Sequence, residues 1–230
     1  MAQPDPAGAT VQRTAFLPSR DGLAFDNSWP SEPAVSWRTP FGRLGIGNAA
    51  RGLCGGMVYA ALDYWHAGRL PPGARPGPGS ALFAFIVRRL IGSWQLPAGV
   101  LRYYRWQRLS GPDLRQRTVA GQWPQIQAAL AAGRPVTLGV VTVASANPLL
   151  LGHNHQVVAW ACELTGPRVR LSVYDPNSGP DDGVGIEFDA RLGSGAEGGF
   201  THNLNLAWPV RGFFVTRYVP APPPVPGGPA

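Results

Sequence analysis

Three residues of this chain have the types and the order that nucleophilic catalysis requires. Cys54 stands in a Leu-Cys-Gly-Gly-Met motif, directly ahead of a run of helical character. A thiol at a helix N-terminus meets the positive end of the helix dipole and unpaired backbone N–H groups, and both favour the nucleophilic thiolate. His155 opens an apolar strand-like run, and Asp175 directly follows the next one. These residues predict a thiol nucleophile with a base and a carboxylate.

The two strand-like runs predict that His155 and Asp175 are neighbours in space. His155–Cys162 and Arg168–Tyr174 are separated by a short turn, which makes them antiparallel partners. The start of the first strand then lies beside the end of the second. A carboxylate in that place fixes the imidazole tautomer and stabilises its charged form. The imidazole in turn activates Cys54, as covalent catalysis requires.

An acyl-transfer site also needs hydrogen-bond donors for the oxyanion. Asn48 precedes Cys54 by six positions and is our candidate for a side-chain donor, with the Cys54 backbone N–H as the second. Asn177 competes with Asp175 for the role of orienting the histidine. Asp175 also has a purely structural interpretation, because an aspartate before a proline commonly starts a turn.

The remaining pattern places helices before strands. The predicted helices are Cys54 to about His66, Ser80 to about Ile91 with Ser80 as N-cap, and Pro124–Ala132 ended by Gly133. The predicted strands are Pro135–Val143, His155–Cys162, Arg168–Tyr174, Gly183–Phe188 and Gly212–Tyr218. This order indicates an α+β fold, an N-terminal helical part with the Cys-bearing helix packed on a C-terminal, mainly antiparallel β-sheet.

Proline and glycine content sets the predicted domain limits. Residues 1–22 are expected to form a flexible N-terminal arm, 23–218 a single domain, and 219–230 a disordered or polyproline II tail. Pro71–Gly79 is also rich in proline and glycine, but it is too short to divide domains and indicates a surface loop.

Composition narrows the classes of partner. The net charge is +7 and every basic residue other than histidine is arginine. Arg102, Arg105 and Arg108 alternate with aromatic residues, which is typical of a nucleic-acid patch or of one solvated face of a helix or strand. We favour the solvated face and expect no nucleic-acid partner.

Neither a membrane segment nor a secretory signal is recognisable in the sequence. No stretch approaches the roughly 20 apolar residues of a membrane span, and the N-terminus lacks a basic region followed by an apolar core. We therefore expect a cytoplasmic protein, or one exported without a recognisable signal peptide. Cys162 lies in an apolar run and is expected to be a buried hydrophobe. No second cysteine or histidine has ligand spacing to Cys54, so neither a metal nor another cofactor is expected.

The order cysteine, histidine, aspartate resembles that of the papain-like cysteine peptidases, and is closer to their bacterial C39-like branch than to papain. The resemblance covers about Asn48 to Asn177, including the Leu-Ala-Ala-Gly-Arg-Pro-Val segment before a strand. The chain also resembles bacterial proteins with a Cys-Gly-Gly-Met helix start. The resemblance implies a papain-like fold with Cys54 as nucleophile, His155 as base and acid, and Asp175 as orienter.

Two positions bear on how far the resemblance reaches. The family usually has glutamine where this chain has Asn48. Papain-like enzymes often use asparagine as the third residue, which keeps Asn177 as an alternative to Asp175.

The sequence therefore predicts a thiol hydrolase acting on a peptide or protein substrate, by cleavage of a peptide or isopeptide bond. The same residues would serve an acyltransferase or transpeptidase if an amine replaced water. A catalytically inactive papain-like binding module is the alternative of another class, and Asn48 is its best support. An arginine-mediated nucleic-acid binder is a third hypothesis, and it predicts a steep salt dependence of binding.

Overall fold

The computed structural model describes residues 8–29, 35–39, 42–46, 53–192 and 199–225. Its helices are α1 Pro18–Asp21, α2 Cys54–His66, α3 Ala81–Ser93, α4 Ala98–Gln107, α5 Gly111–Gln116 and α6 Trp123–Ala131. A π-helical turn, Arg117–Gln122, joins α5 to α6, and a 3-10 helix, Pro148–His153, precedes β5. The strands are β1 Thr10–Arg13, β2 Val35–Thr39, β3 Gly42–Ile46, β4 Val136–Val141, β5 His155–Thr165, β6 Arg168–Tyr174, β7 Gly185–Asp189, β8 Thr201–His202 and β9 Gly212–Val215.

The α+β class is confirmed, and the main sheet is antiparallel throughout its described pairs. Its strand order is β8-β7-β6-β5-β4-β9, and β1 pairs with the far end of β5 beside the β4 pairing. β2 and β3 form a separate antiparallel hairpin. Helices and strands are less segregated than the sequence suggested, because three strands precede the first long helix.

β5 is apolar along most of its length because both of its faces are covered. Val157 and Ala159 belong to a core with α6 and neighbouring strands, whereas Val158 and Trp160 pack with residues of α2. Successive side chains of a strand point to opposite faces, so a strand buried on both sides has no polar alternation. The sheet therefore lies between α2 on one face and α6 on the other.

The helix that begins at Cys54 is packed between the sheet and α3. Ten consecutive residues, Gly55–Tyr64, are buried. The predicted helices over α3 and α6 are confirmed, with Ser80 accepting a hydrogen bond from Phe83 N at the start of α3 and Gly133 at φ +71° after α6. The predicted Cys-bearing helix on an antiparallel sheet is thus observed.

The prediction of a flexible arm over residues 1–22 is wrong for the residues that the structure describes. Thr10–Arg13 forms β1 and pairs with β5, and Ser19 donates its hydroxyl to Asp182 Oδ2 at 2.6 Å. Edge pairing on β5 gives this segment backbone partners that composition alone does not reveal. Residues 1–7 lie outside the described part.

The tail predicted over 219–230 forms no helix or strand as far as residue 225, as expected, but there it is packed rather than disordered. It lies against α2. Buried Asp63 accepts hydrogen bonds from Tyr218 Oη at 2.7 Å and Ala221 N at 2.8 Å, and Arg89 Nε lies 2.6 Å from its other oxygen. Arg69 donates to the carbonyl oxygen of Pro224. A proline-rich segment lacks N–H donors, but its carbonyl groups still accept, and here arginine satisfies them.

The arginine-aromatic segment forms helix α4. Arg102 donates to the backbone oxygen of Val215 at the edge of the sheet, and Arg108 lies over the ring of Tyr104. Pro71–Gly79 is a loop, as predicted. Among the helices that the structure describes, none combines the length and the apolar character needed to cross a bilayer.

Candidate active site

The expected pairing of His155 and Asp175 is confirmed. His155 opens β5, Asp175 directly follows β6, and Nε2 of the imidazole lies 2.7 Å from Oδ1 of the carboxylate. Both side chains are buried, with 5% and 0% of their surface exposed. The hydrogen bond places Asp175 on the Nε2 side of the ring, which leaves Nδ1 as the nitrogen for another partner.

Asp175 is held by four donors and needs no other group to satisfy it. Its Oδ1 accepts from His155 and from Asn177 N at 2.9 Å. Its Oδ2 accepts from Ser178 Oγ at 2.9 Å and Asn205 N at 3.1 Å. Burial opposes the charge, but the positive imidazole and these donors outweigh it and lower the pKa of Asp175 below its usual range. The carboxylate is therefore ionised wherever the fold is intact near neutral pH.

Cys54 is the first residue of α2 and faces His155. Leu53, the N-cap residue, offers no side-chain hydrogen bond, and the first turn of the helix has no acidic residue. Burial disfavours the thiolate, but the charge and hydrogen bond of His155 and backbone N–H groups of Gln156 and Gly55 outweigh it, and they lower the pKa of Cys54. The thiolate is thus favoured by the arrangement that the sequence predicted.

The pKa of His155 changes in the opposite direction to that of Cys54. Burial disfavours the imidazolium, yet the Cys54 thiolate and the Asp175 carboxylate raise the pKa of His155 to about 10. An imidazolium between two anions is the expected ground state at neutral pH. With Nε2 bonded to the carboxylate, Nδ1 is the ring nitrogen left for the sulfur. This is the order of groups that nucleophile, base and orienter would need in covalent catalysis.

The sulfur and the imidazole open onto a cleft of about 380 Å³. Its lining includes Asn27, Ser28, His153, Leu206 and Trp208. Cys54 is partly exposed there, whereas Cys162 is buried, as predicted. A ligand can therefore reach the first thiol and not the second.

His153 does not join the pair. Its ring stacks on Trp208 with 5.0 Å between ring centroids and 4° between the planes. Trp208 retains 38% of its surface exposed, so the stack forms an aromatic wall of the cleft. His153 belongs to this wall, and His155 is the histidine beside Cys54.

Asn177, the rival orienter, is engaged elsewhere. Its Oδ1 accepts from Asn27 Nδ2 at 2.9 Å and its Nδ2 donates to Asn205 O at 3.1 Å. Only its backbone N–H contacts Asp175. The geometry therefore favours Asp175 over Asn177. Asn48, the candidate oxyanion donor, lies outside the described residues.

Asn27 connects the two halves of the site, and the sequence analysis missed it. Its Oδ1 accepts from Leu53 N at 2.8 Å, and its backbone N–H donates to Pro176 O. One residue thus joins the position ahead of Cys54, through its side chain, to the loop after Asp175, through its backbone. An asparagine in a loop carries no periodic signal, so the sequence could not single it out. Ser178 and Asn205 were missed for the same reason.

The buried carboxylate predicts an acid-side loss of stability. The folded pKa of Asp175 is lowered, so its contribution is present above the unfolded pKa of about 3.9 and is lost as pH falls through the folded value. Urea unfolding at pH 5, 4 and 3 should show a steep fall in the free energy of unfolding. Asp175→Asn should show a shallower fall over the same range, and equal slopes would contradict this assignment.

Among the described residues, no group of three or more His, Cys, Asp or Glu side chains is arranged to hold a metal ion. No family model, curated protein or solved structure matches the chain.

Proposed function

We propose that the protein is a papain-like thiol hydrolase that cleaves a peptide or isopeptide bond through an acyl-enzyme on Cys54. The observation that carries the proposal is the position of His155, which lies between the Cys54 sulfur and the Asp175 carboxylate at an open cleft. A structural cysteine needs neither an imidazolium partner nor access to solvent.

The first half-reaction forms the acyl-enzyme. The Cys54 thiolate attacks the carbonyl carbon, so a C–S bond forms and the carbonyl oxygen becomes an oxyanion. His155 transfers its Nδ1 proton to the leaving nitrogen, the C–N bond breaks, and the amine departs. The imidazole is then neutral, and Asp175 holds its remaining proton at Nε2.

The second half-reaction restores the enzyme. His155 takes a proton from water, the resulting hydroxide attacks the thioester carbon, and the C–S bond breaks to release the acid and the thiolate. The Cys54 backbone N–H at the start of α2 is the proposed first oxyanion donor, and Asn48 the proposed second.

The same acyl-enzyme would serve an acyltransferase or transpeptidase if an amine took the place of water. Release of a new carboxylate in H₂¹⁸O, with ¹⁸O incorporated, would identify the hydrolase.

The pH profile of Cys54 alkylation tests the proposal. With iodoacetamide between about pH 4 and 10, the wild type should label fast from below neutral pH, because the imidazolium keeps the sulfur ionised. His155→Ala should label roughly 100-fold more slowly near pH 6, since a free thiol with a pKa of about 8.5 is scarcely ionised there.

His153→Ala is the matched control, since it removes an imidazole from the same cleft. Its profile should follow the wild type. If it loses the acid-side labelling and His155→Ala keeps it, the wrong histidine has been assigned. A wild-type profile that rises only near pH 8.5 would overturn the proposed function and favour a binding module.

A further inference from the structure

The peptide group between His155 and Gln156 lies between a tyrosine hydroxyl and the candidate nucleophile. Tyr103 Oη donates to the carbonyl oxygen of His155 at 3.0 Å. The N–H of the same peptide, that of Gln156, is among the donors that lower the pKa of the Cys54 thiol. A trans peptide is planar, with C=O and N–H pointing in opposite directions. Fixing one end of this plane therefore fixes the other.

Tyr103 reaches this carbonyl because the neighbouring strand has no side chain at that position. Gly139 of β4 is paired with Gln156 of β5. A Cβ atom at position 139 would lie 2.5 Å from Tyr103 Oη and 2.7 Å from the Phe214 ring. The tyrosine ring packs edge-on against Phe214, with 4.7 Å between centroids. The missing side chain at Gly139 thus makes room for the hydroxyl, and Phe214 holds the ring in place.

The hydroxyl can act only through a hydrogen bond, because it does not ionise at working pH. Burial raises the pKa of Tyr103 well above its ordinary value, and the negative charge of Cys54 raises it further. A hydroxyl that donates to the carbonyl also polarises the peptide, which strengthens donation by its N–H. The series hydroxyl, peptide, thiolate therefore runs from α4 through β5 to α2.

We propose that Tyr103 is a positioning residue of the candidate site, whose hydroxyl fixes the His155–Gln156 peptide so that its N–H donates to the Cys54 thiolate. The inference rests on the proposed function for its chemical meaning. It gives a role to one aromatic residue of the arginine-aromatic segment. It also explains why His155 and a thiolate donor are adjacent residues of one strand.

The test compares Tyr103→Phe with Tyr104→Phe. Both variants remove one hydroxyl from α4, but the Tyr104 ring lies beside Arg108, whereas the Tyr103 hydroxyl donates to the peptide. Iodoacetamide labelling of Cys54 is measured from pH 4 to 10, together with thermal unfolding. In Tyr103→Phe the acid-side rate should fall about three- to tenfold, the value of one neutral hydrogen bond. The inflection should move upward by about 0.5–1 pH unit. Tyr104→Phe should match the wild type.

The outcomes separate this inference from the proposed function. If the wild type shows the acid-side plateau and Tyr103→Phe keeps it unshifted, the positioning role is overturned and the function stands. If Tyr103→Phe lowers the melting temperature but leaves the pH profile of labelling unshifted, the positioning role is also overturned, because the hydroxyl then has only a structural role.

If the wild type lacks the plateau, the proposed function falls, and amide hydrogen exchange decides the inference. Exchange at Gln156 is followed in Cys54→Ala with and without Tyr103→Phe. Faster exchange on loss of the hydroxyl supports anchoring of the peptide, and unchanged exchange overturns it.

Discussion

Cys54→Ala is expected to abolish turnover while leaving the fold intact. In the proposed mechanism the sulfur is the atom that forms and breaks the bond to the acyl group, so the rate should fall on the order of 10⁴- to 10⁶-fold. The side chain is small and partly exposed at the start of α2, so the free energy of unfolding should change by no more than about 1 kcal/mol. Turnover of a peptide mixture followed by mass spectrometry, and urea unfolding, measure the two effects.

Cys162→Ala is the matched control, because it removes the other thiol of the chain. Cys162 is 1% exposed in the core of the sheet, so its replacement leaves a cavity and should cost about 1–2 kcal/mol of stability. Its turnover should remain near that of the wild type. The reverse pattern, a stable Cys162→Ala without turnover and an unstable Cys54→Ala with turnover, would assign Cys54 a structural role.

Asp175→Asn is expected to damage both catalysis and stability. Asp175 is the acceptor in all four of its hydrogen bonds, two at each carboxylate oxygen. An asparagine there must direct its NH₂ group toward one of the two pairs of donors. If the NH₂ group faces His155, it donates to Nε2 and imposes the wrong tautomer of the imidazole. If it faces Asn205 N and Ser178 Oγ, one backbone donor is left unsatisfied.

The expected size of the effect is on the order of 10³- to 10⁴-fold in rate, as for loss of the orienting carboxylate in a triad. The free energy of unfolding should fall by about 2–4 kcal/mol, because a buried charge pair is broken. Asn177→Asp provides the control, since it places a carboxylate at the rival position. If it restores activity to Asp175→Asn, Asn177 rather than Asp175 is the orienting position.

The part of the site that could be predicted follows from local rules. A glycine-rich start marks α2, and two apolar runs joined by a short turn pair antiparallel. That rule alone predicts that His155 lies beside Asp175, and in the structure Nε2 lies 2.7 Å from Oδ1. The apolar part of β5, as far as Cys162, could be recognised because both of its faces are covered. β6 could be recognised by alternation, since Val169, Leu171 and Val173 are buried between more exposed residues.

The parts that could not be predicted depend on partners far away in the chain. β1 is a four-residue strand of ordinary composition, and only its pairing with β5 distinguishes it from a loop. The segment through Pro224 packs because Asp63 of α2 accepts from Ala221 N and Arg69, just after α2, donates to Pro224 O. Asn27 is important only through the positions of Leu53 and Pro176. None of these partners is visible within a local window of sequence.

The contact between Tyr218 and Asp63 has a consequence for biosynthesis. It joins the helix that begins at Cys54 to a residue 155 positions later, and His155 itself is made 101 positions after Cys54. At a translation rate of about 5–20 residues per second, the thiol emerges several seconds or more before its base. We expect the nascent chain to carry an ordinary cysteine during that interval. Under the proposed function, the reactive thiolate would then arise only once β5 and β6 have been synthesised.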